Sequence, residues 1–158
     1  RKLAPDKKRD RHLTVKELAA LGRALREAEA DFENRTGLAA IRLLLLTGFR
    51  RMEVLGLRHD WVNADKGYVR FPDTKSGPQV RPIGKAALSV IRTAPRRDDS
   101  PYVFPAEQGE GHFIGVVRVL DRLCARAKLT GVSPHVLRHT FASIAAEMGF
   151  TELTVAAL

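Results

Sequence analysis

The sequence predicts a mainly α domain with one small three-stranded antiparallel β-sheet. Three observations carry this expectation. Apolar residues recur at three- and four-residue steps along most of the 158 residues. Only residues 60–83 change to the two-residue period of strands, with turn residues between the extended pieces. Helix-start and helix-stop signals bracket the periodic stretches.

Residues 1–12 hold six Lys or Arg with Pro5 and two Asp. They read either as a solvated basic tail or as an interdomain linker, and the folded domain is placed at 13–158. Thr14 to Glu17 has the form of a capping box, so a helix starts near Val15. Leu18, Leu21, Leu25, Ala28 and Phe32 give it an inward stripe. Asn34 to Thr36 breaks the pattern, and a second helix, apolar around most of its circumference, runs from about Leu38 to Leu46. Gly48 stops it, and Arg50 opens a short helix through about Leu57. Trp61–Asn63 and Tyr68–Phe71 form a hairpin whose turn is supplied by Asp65, Lys66 and Gly67. A third strand, Gln79 to Ile83, follows the turn at Ser76-Gly77-Pro78, and Pro82 makes it an edge strand or ends it.

Ala86 to Thr93 is a helix that ends near Pro95. Tyr102–Phe104 is a short extended piece before a polar loop at 107–111. A long helix covers Phe113 to Lys128, with Phe113, Val117, Leu120, Cys124 and Ala127 inward. Ser133 and Pro134 suit the N-cap and first position of a helix reaching Met148, with Leu137, Phe141, Ile144 and Met148 as its stripe. Gly149 stops it, and Thr151 opens a last helix.

Composition narrows the function. Lys plus Arg outnumber Asp plus Glu by 27 to 18, and the pI is near 10.3. That balance points to a polyanion, nucleic acid first. Cys124 is the only cysteine, which excludes an internal disulfide and a thiolate zinc site. The longest apolar run is interrupted by Arg42 and is too short to span a bilayer. The first residue is not Met, and the chain reads as part of a longer protein.

Two stretches carry chemistry. In His135-Val136-Leu137-Arg138-His139, His135 and Arg138 stand three apart at a helix N-terminus, where free N–H groups favour an anion. Taken alone, this is equally a helix with a surface arginine. In Thr47-Gly48-Phe49-Arg50-Arg51-Met52-Glu53, Arg50 and Glu53 are again three apart. Together the stretches resemble the two arginine boxes of the tyrosine recombinase (phage integrase) family. Arg50 and Arg138 are 88 residues apart, which suits the family's spacing. Lys75, in Thr74-Lys75-Ser76-Gly77, sits where that family has a β-hairpin lysine.

The resemblance implies the integrase catalytic-domain fold and a site-specific recombinase that cuts and rejoins double-stranded DNA through a 3′-phosphotyrosyl intermediate, with no metal or cofactor. Arg50 and Arg138 would clamp the non-bridging oxygens of the scissile phosphate, using paired donors that lysine cannot match. His135 would hydrogen-bond the same phosphate or move the nucleophile's proton. Lys75 would protonate the leaving 5′ oxygen. Glu53 would orient the arginines, and His139 would support His135. Lys7, Lys8, Arg9, Arg51 and Arg81 would contact DNA. No carboxylate cluster suited to Mg²⁺ is visible, and arginines can take a metal's place in such a clamp.

The family also attacks through a tyrosine about thirty residues after the second box. Tyr68 and Tyr102 are the only tyrosines, both precede that box, and both read as packing residues. The 158 residues are therefore expected to lack the nucleophile, to be inactive by themselves and to be monomeric. The complete protein would be a cytoplasmic, nucleoid-associated homotetramer on DNA. A non-catalytic DNA-binding relative, a type IB topoisomerase or telomere resolvase, and a structural helical domain remain the other readings.

Overall fold

A computed structural model of the chain describes residues 11–149. Helix α1 (Val15–Ala30) starts on Thr14, whose hydroxyl accepts from the Glu17 amide while Glu17 Oε1 accepts from the Thr14 amide. This box satisfies donors that a helix start otherwise leaves bare. Leu21, Ala24, Leu25 and Ala28 are its buried stripe. Phe32 does not extend that stripe. The helix has ended, Phe32 is left-handed (φ 62), and the residue is 95% exposed.

Helix α2 (Arg35–Thr47) begins three residues before the expected Leu38. Asn34 is its N-cap, with Oδ1 accepting from the Gly37 amide at 2.8 Å. The residue read as a breaker starts the helix, because a short amide side chain serves both purposes. Leu38, Ala40, Ile41, Leu43 and Leu44 are sealed from solvent, and α2 is the centre of the core. Around it pack α1, α3 (Arg51–Leu55), α4 (Lys85–Thr93), α5 (Val116–Ala127) and α6 (Pro134–Glu147). Gly37 permits the close approach of α5, since a Cβ there would lie 2.7 Å from Val119 Cγ2.

Strands β1 (Val62–Asn63), β2 (Tyr68–Phe71) and β3 (Gln79–Pro82) form an antiparallel sheet in that order. Pro82 closes β3 at the sheet edge, opposite Tyr68. Val69 pairs with Arg81 and both are buried, whereas Val80 is 59% exposed. Cross-strand partners share a face, so the register turns Arg81 inward.

Helix α5 starts at Val116, three residues later than expected. Phe113 is held back in extended chain, its amide donating to Phe104 O at 2.8 Å. The buried face of α5 is Val116, Val119, Leu120, Leu123 and Cys124, and Val117 is 38% exposed rather than inward. In α6 the buried set is Val136, Leu137, Thr140 and Ala145. Phe141 is half-buried, and Ile144 and Met148 face solvent. The face is turned because Thr140 can be buried. Its Oγ1 donates to Val136 O and accepts the Leu13 amide at 2.9 Å, leaving no polar atom unpaired. Gly149 follows the helix with φ +92, as a C-terminal stop requires. Residues 150–158, with the helix expected from Thr151, lie outside the described residues.

Arg11, placed in the linker by composition, is docked on the domain. Its guanidinium donates to Thr130 O at 2.9 Å and to Glu17 Oε2 at 2.8 Å. Among the described residues no helix is long and apolar enough to cross a membrane.

Candidate active site

The site is built on the turn between α2 and α3. Gly48 ends α2 in the left-handed region (φ +67), its amide donating to Leu44 O at 3.0 Å. Phe49 is buried next to it and turns the chain so that Arg50 caps α3 in extended conformation. Glu53 Oε1 accepts the Arg50 amide at 2.8 Å. The Arg50 side chain is 64% exposed, and its Nη1 stands 3.8 Å from Glu53 Oε2.

Arg138 comes from α6, 90 residues after Gly48, and its Nη1 donates to Gly48 O at 2.9 Å. One helical turn on, Phe141 rests against Gly48, where an added Cβ would meet Phe141 Cδ1 at 2.4 Å. Two α6 side chains thus seat on one glycine, and the second arginine is pinned to the turn that carries the first. Burial, and after it the positive charge of Arg50, lower the proton affinity of the Arg138 guanidinium; Glu53 opposes this and Arg81 adds to it. An anion between the arginines would relieve that repulsion.

His135 is on the exposed rim of α6, its ring centroid 4.3 Å from that of His139. Phe49, Arg50, Arg51, Pro134, His135 and Arg138 line a hollow of about 570 Å³. A second hollow of similar size is lined by Arg50, Glu53, Trp61, Lys75, Gln79 and Arg81 among others. Arg50 and Met52 line both. Lys75 is exposed at the tip of the β2–β3 loop, which is closed by the Gly77 amide on Thr74 O at 2.9 Å with Gly77 at φ +89. The structure thus places His135 and Arg138 at one hollow and Lys75 at the other, and Arg50 lines both.

Arg81, expected on DNA, is 3% exposed and points into the protein. Its Nη1 donates to Glu53 Oε1 at 2.8 Å, and its Nη2 lies 2.7 Å from Glu53 Oε2. It is spent on Glu53 rather than offered to a ligand. Alternation along β3 held this signal, since Val80 and Arg81 must face opposite ways. Burial pushes the Glu53 carboxyl up, but the hydrogen bonds from Arg81 and the Arg50 amide, with the charges of both arginines, outweigh it and hold it below the ordinary range. Arg51 is exposed beside Arg138's hollow. Lys7, Lys8 and Arg9 lie outside the described residues.

Neither tyrosine lines a hollow described above. The Tyr68 hydroxyl accepts from Asn63 Nδ2 at 3.2 Å, and Tyr102 packs edge-on against His112. Both are packing residues.

The model of the phage integrase family matches residues 11–158. The tyrosine recombinase XerD of Brucella suis biovar 1 (strain 1330) is 34% identical over 140 residues, covering 78% of this chain and 45% of that protein. The tyrosine recombinase XerC of Erythrobacter litoralis is 32% identical over 116 residues, covering 71% and 38%. The chain thus spans less than half the length of these curated relatives. In fold it resembles the XerA recombinase crystal structure, with TM-score 0.73 at 21% identity, over 93% of this chain and 55% of that one. The Tn1549 transposon integrase, solved in complex with circular intermediate DNA, gives 0.70 at 18% identity, over 98% and 58%.

Proposed function

The chain belongs to the phage integrase family, and from that premise we propose that it is the DNA-binding catalytic domain of a site-specific tyrosine recombinase. The observation that carries the reading is the convergence of Arg50 and Arg138, from separate elements, with His135 at one hollow. The two guanidiniums clamp the non-bridging oxygens of a DNA phosphate and stabilise the charge that gathers there during attack. His135 hydrogen-bonds that phosphate or moves the nucleophile's proton. Lys75, across Arg50, protonates the leaving 5′ oxygen. Glu53 holds the Arg50 turn, and His139 supports His135. The net charge of +9 favours the duplex as substrate. Arg51 and the basic residues Lys7, Lys8 and Arg9 contact phosphates flanking the scissile one.

A 3′-phosphotyrosyl intermediate needs a tyrosine beside the clamp, and neither Tyr68 nor Tyr102 is one. In this reading the 158 residues are monomeric and form no DNA adduct alone. The protein at the length of its relatives assembles as a homotetramer on DNA in the cytoplasm, associated with the nucleoid. No metal or cofactor takes part.

The test is a suicide duplex bearing the recombination site, incubated with the protein at its relatives' length and resolved in SDS. A covalent adduct is expected, and Arg50→Ala or Arg138→Ala should slow its formation roughly 10²–10³-fold each, the scale of losing one fixed donor at a developing charge. Salt-sensitive DNA binding without any adduct would replace this reading by a non-catalytic DNA-binding one.

A further inference from the structure

We propose that Arg81 is a positioning residue: by occupying both oxygens of Glu53, it leaves the Arg50 guanidinium free to take a phosphate. The inference rests on the reading of Arg50 as part of a phosphate clamp.

The distances describe a competition that Arg81 wins. Arg81 reaches Glu53 Oε1 at 2.8 Å and Oε2 at 2.7 Å, a two-pronged contact. Oε1 also takes the Arg50 amide at 2.8 Å. Arg50 Nη1 is left 3.8 Å from Oε2, beyond hydrogen-bond length, and the Arg50 side chain is 64% exposed. The Arg81 side chain is 4% exposed and that of Glu53 is 16% exposed. A carboxylate so placed must have a cation, and after Arg81 the next candidate is Arg50, three residues away on the same turn. Without Arg81, Arg50 would fold back onto Glu53 and leave the hollow it shares with Arg138 and His135.

The rest of the neighbourhood fixes Arg81 for this task. Its guanidinium lies 4.9 Å from the Phe71 ring centroid and 5.5 Å from that of Phe49. Gln79 Oε1 accepts from its Nε at 3.2 Å and its Nη2 at 2.7 Å. Gln79 and Arg81 are two apart on β3 and so share a face. The pair also ties the hairpin that carries Lys75 to the turn that carries Arg50.

The test titrates the full 158-residue chain with inorganic phosphate at constant ionic strength, following the Nε–H resonances of Arg50 and Arg138 by NMR, with Arg138, which lines the same hollow, as the reporter in Arg50→Ala. Arg81→Met fills the space between Phe49 and Phe71 without charge. It is expected to weaken phosphate binding at Arg50 roughly tenfold, the scale of one charge-assisted hydrogen bond. Adding Glu53→Gln removes the carboxylate that captures Arg50, and binding should return to within about threefold of wild type. A purely structural role for Arg81 would give no such recovery. Wild-type binding by Arg81→Met, or a double variant as weak as the single one, overturns the proposal. If Arg81→Met does not fold, the double variant decides alone, since it leaves no buried charge unpaired. A loss in it equal to that of Arg50→Ala is then the overturning result. If Arg50→Ala itself leaves phosphate binding unchanged, the clamp reading falls and the proposal with it; if Arg50→Ala abolishes binding while Arg81→Met does not weaken it, the proposal falls alone.

Discussion

Gly48 bears three demands at one residue. It must be left-handed to end α2, it must lack a Cβ to admit Phe141, and its carbonyl must face Arg138. Gly48→Ala should cost roughly 2–4 kcal/mol, combining an unfavourable φ with overpacking, and urea unfolding would measure it. Gly37 meets only the second demand. Gly37→Ala should cost roughly 1–3 kcal/mol through its clash with Val119. In a Val119→Ala background the obstructing methyl groups are gone, so the same change should cost clearly less. Equal costs in both backgrounds would show that α2 and α5 do not meet there.

In α6, Thr140 does the work of an apolar residue. Thr140→Val keeps the shape but strips the acceptor from the buried Leu13 amide. We expect a loss of about 1–3 kcal/mol in chemical denaturation. The same residue shows where sequence reading reaches its limit. Caps were legible: Thr14–Glu17 and Ser133–Pro134 act through neighbours within three positions, so their pattern is local. The two arginine boxes and the hairpin lysine are recognised through the family resemblance, since each stretch taken alone also reads as surface. Thr140 and Arg81 were not legible, because their polar atoms are satisfied from far along the chain, by Leu13 and Glu53. Without those partners a threonine or arginine reads as surface, which is why the sequence puts the α6 stripe on Ile144 and Met148 and Arg81 on DNA. Phe32 failed in the opposite direction: hydrophobicity placed it inward, and the end of α1 placed it in solvent.

Across the whole molecule, acid is a condition that should weaken the fold. The hydrogen bond from Arg11, aided by the Thr14 amide, lowers the Glu17 carboxyl from 4.5 to about 2, and Arg122 does the same for Glu33. Both folded values lie below the unfolded one, so both groups stabilise the fold above about pH 4.5. That contribution drains away as pH falls from about 4.5 toward about 2. Melting followed by circular dichroism should give a Tm that is nearly flat from neutrality to about pH 5 and drops below it. Glu17→Gln and Glu33→Gln should lower the neutral Tm and flatten the acid limb. An acid limb unchanged in both variants would place the sensitivity elsewhere. The Arg11 contact has a mechanical side as well. Arg11 grips Thr130 and the Leu13 amide grips Thr140, so the chain that leads into α1 is stitched to the loop ahead of α6 and to α6 itself. Tension applied ahead of Arg11 would therefore load these stitches, and through them the helix that carries His135 and Arg138, before it reached the first turn of α1.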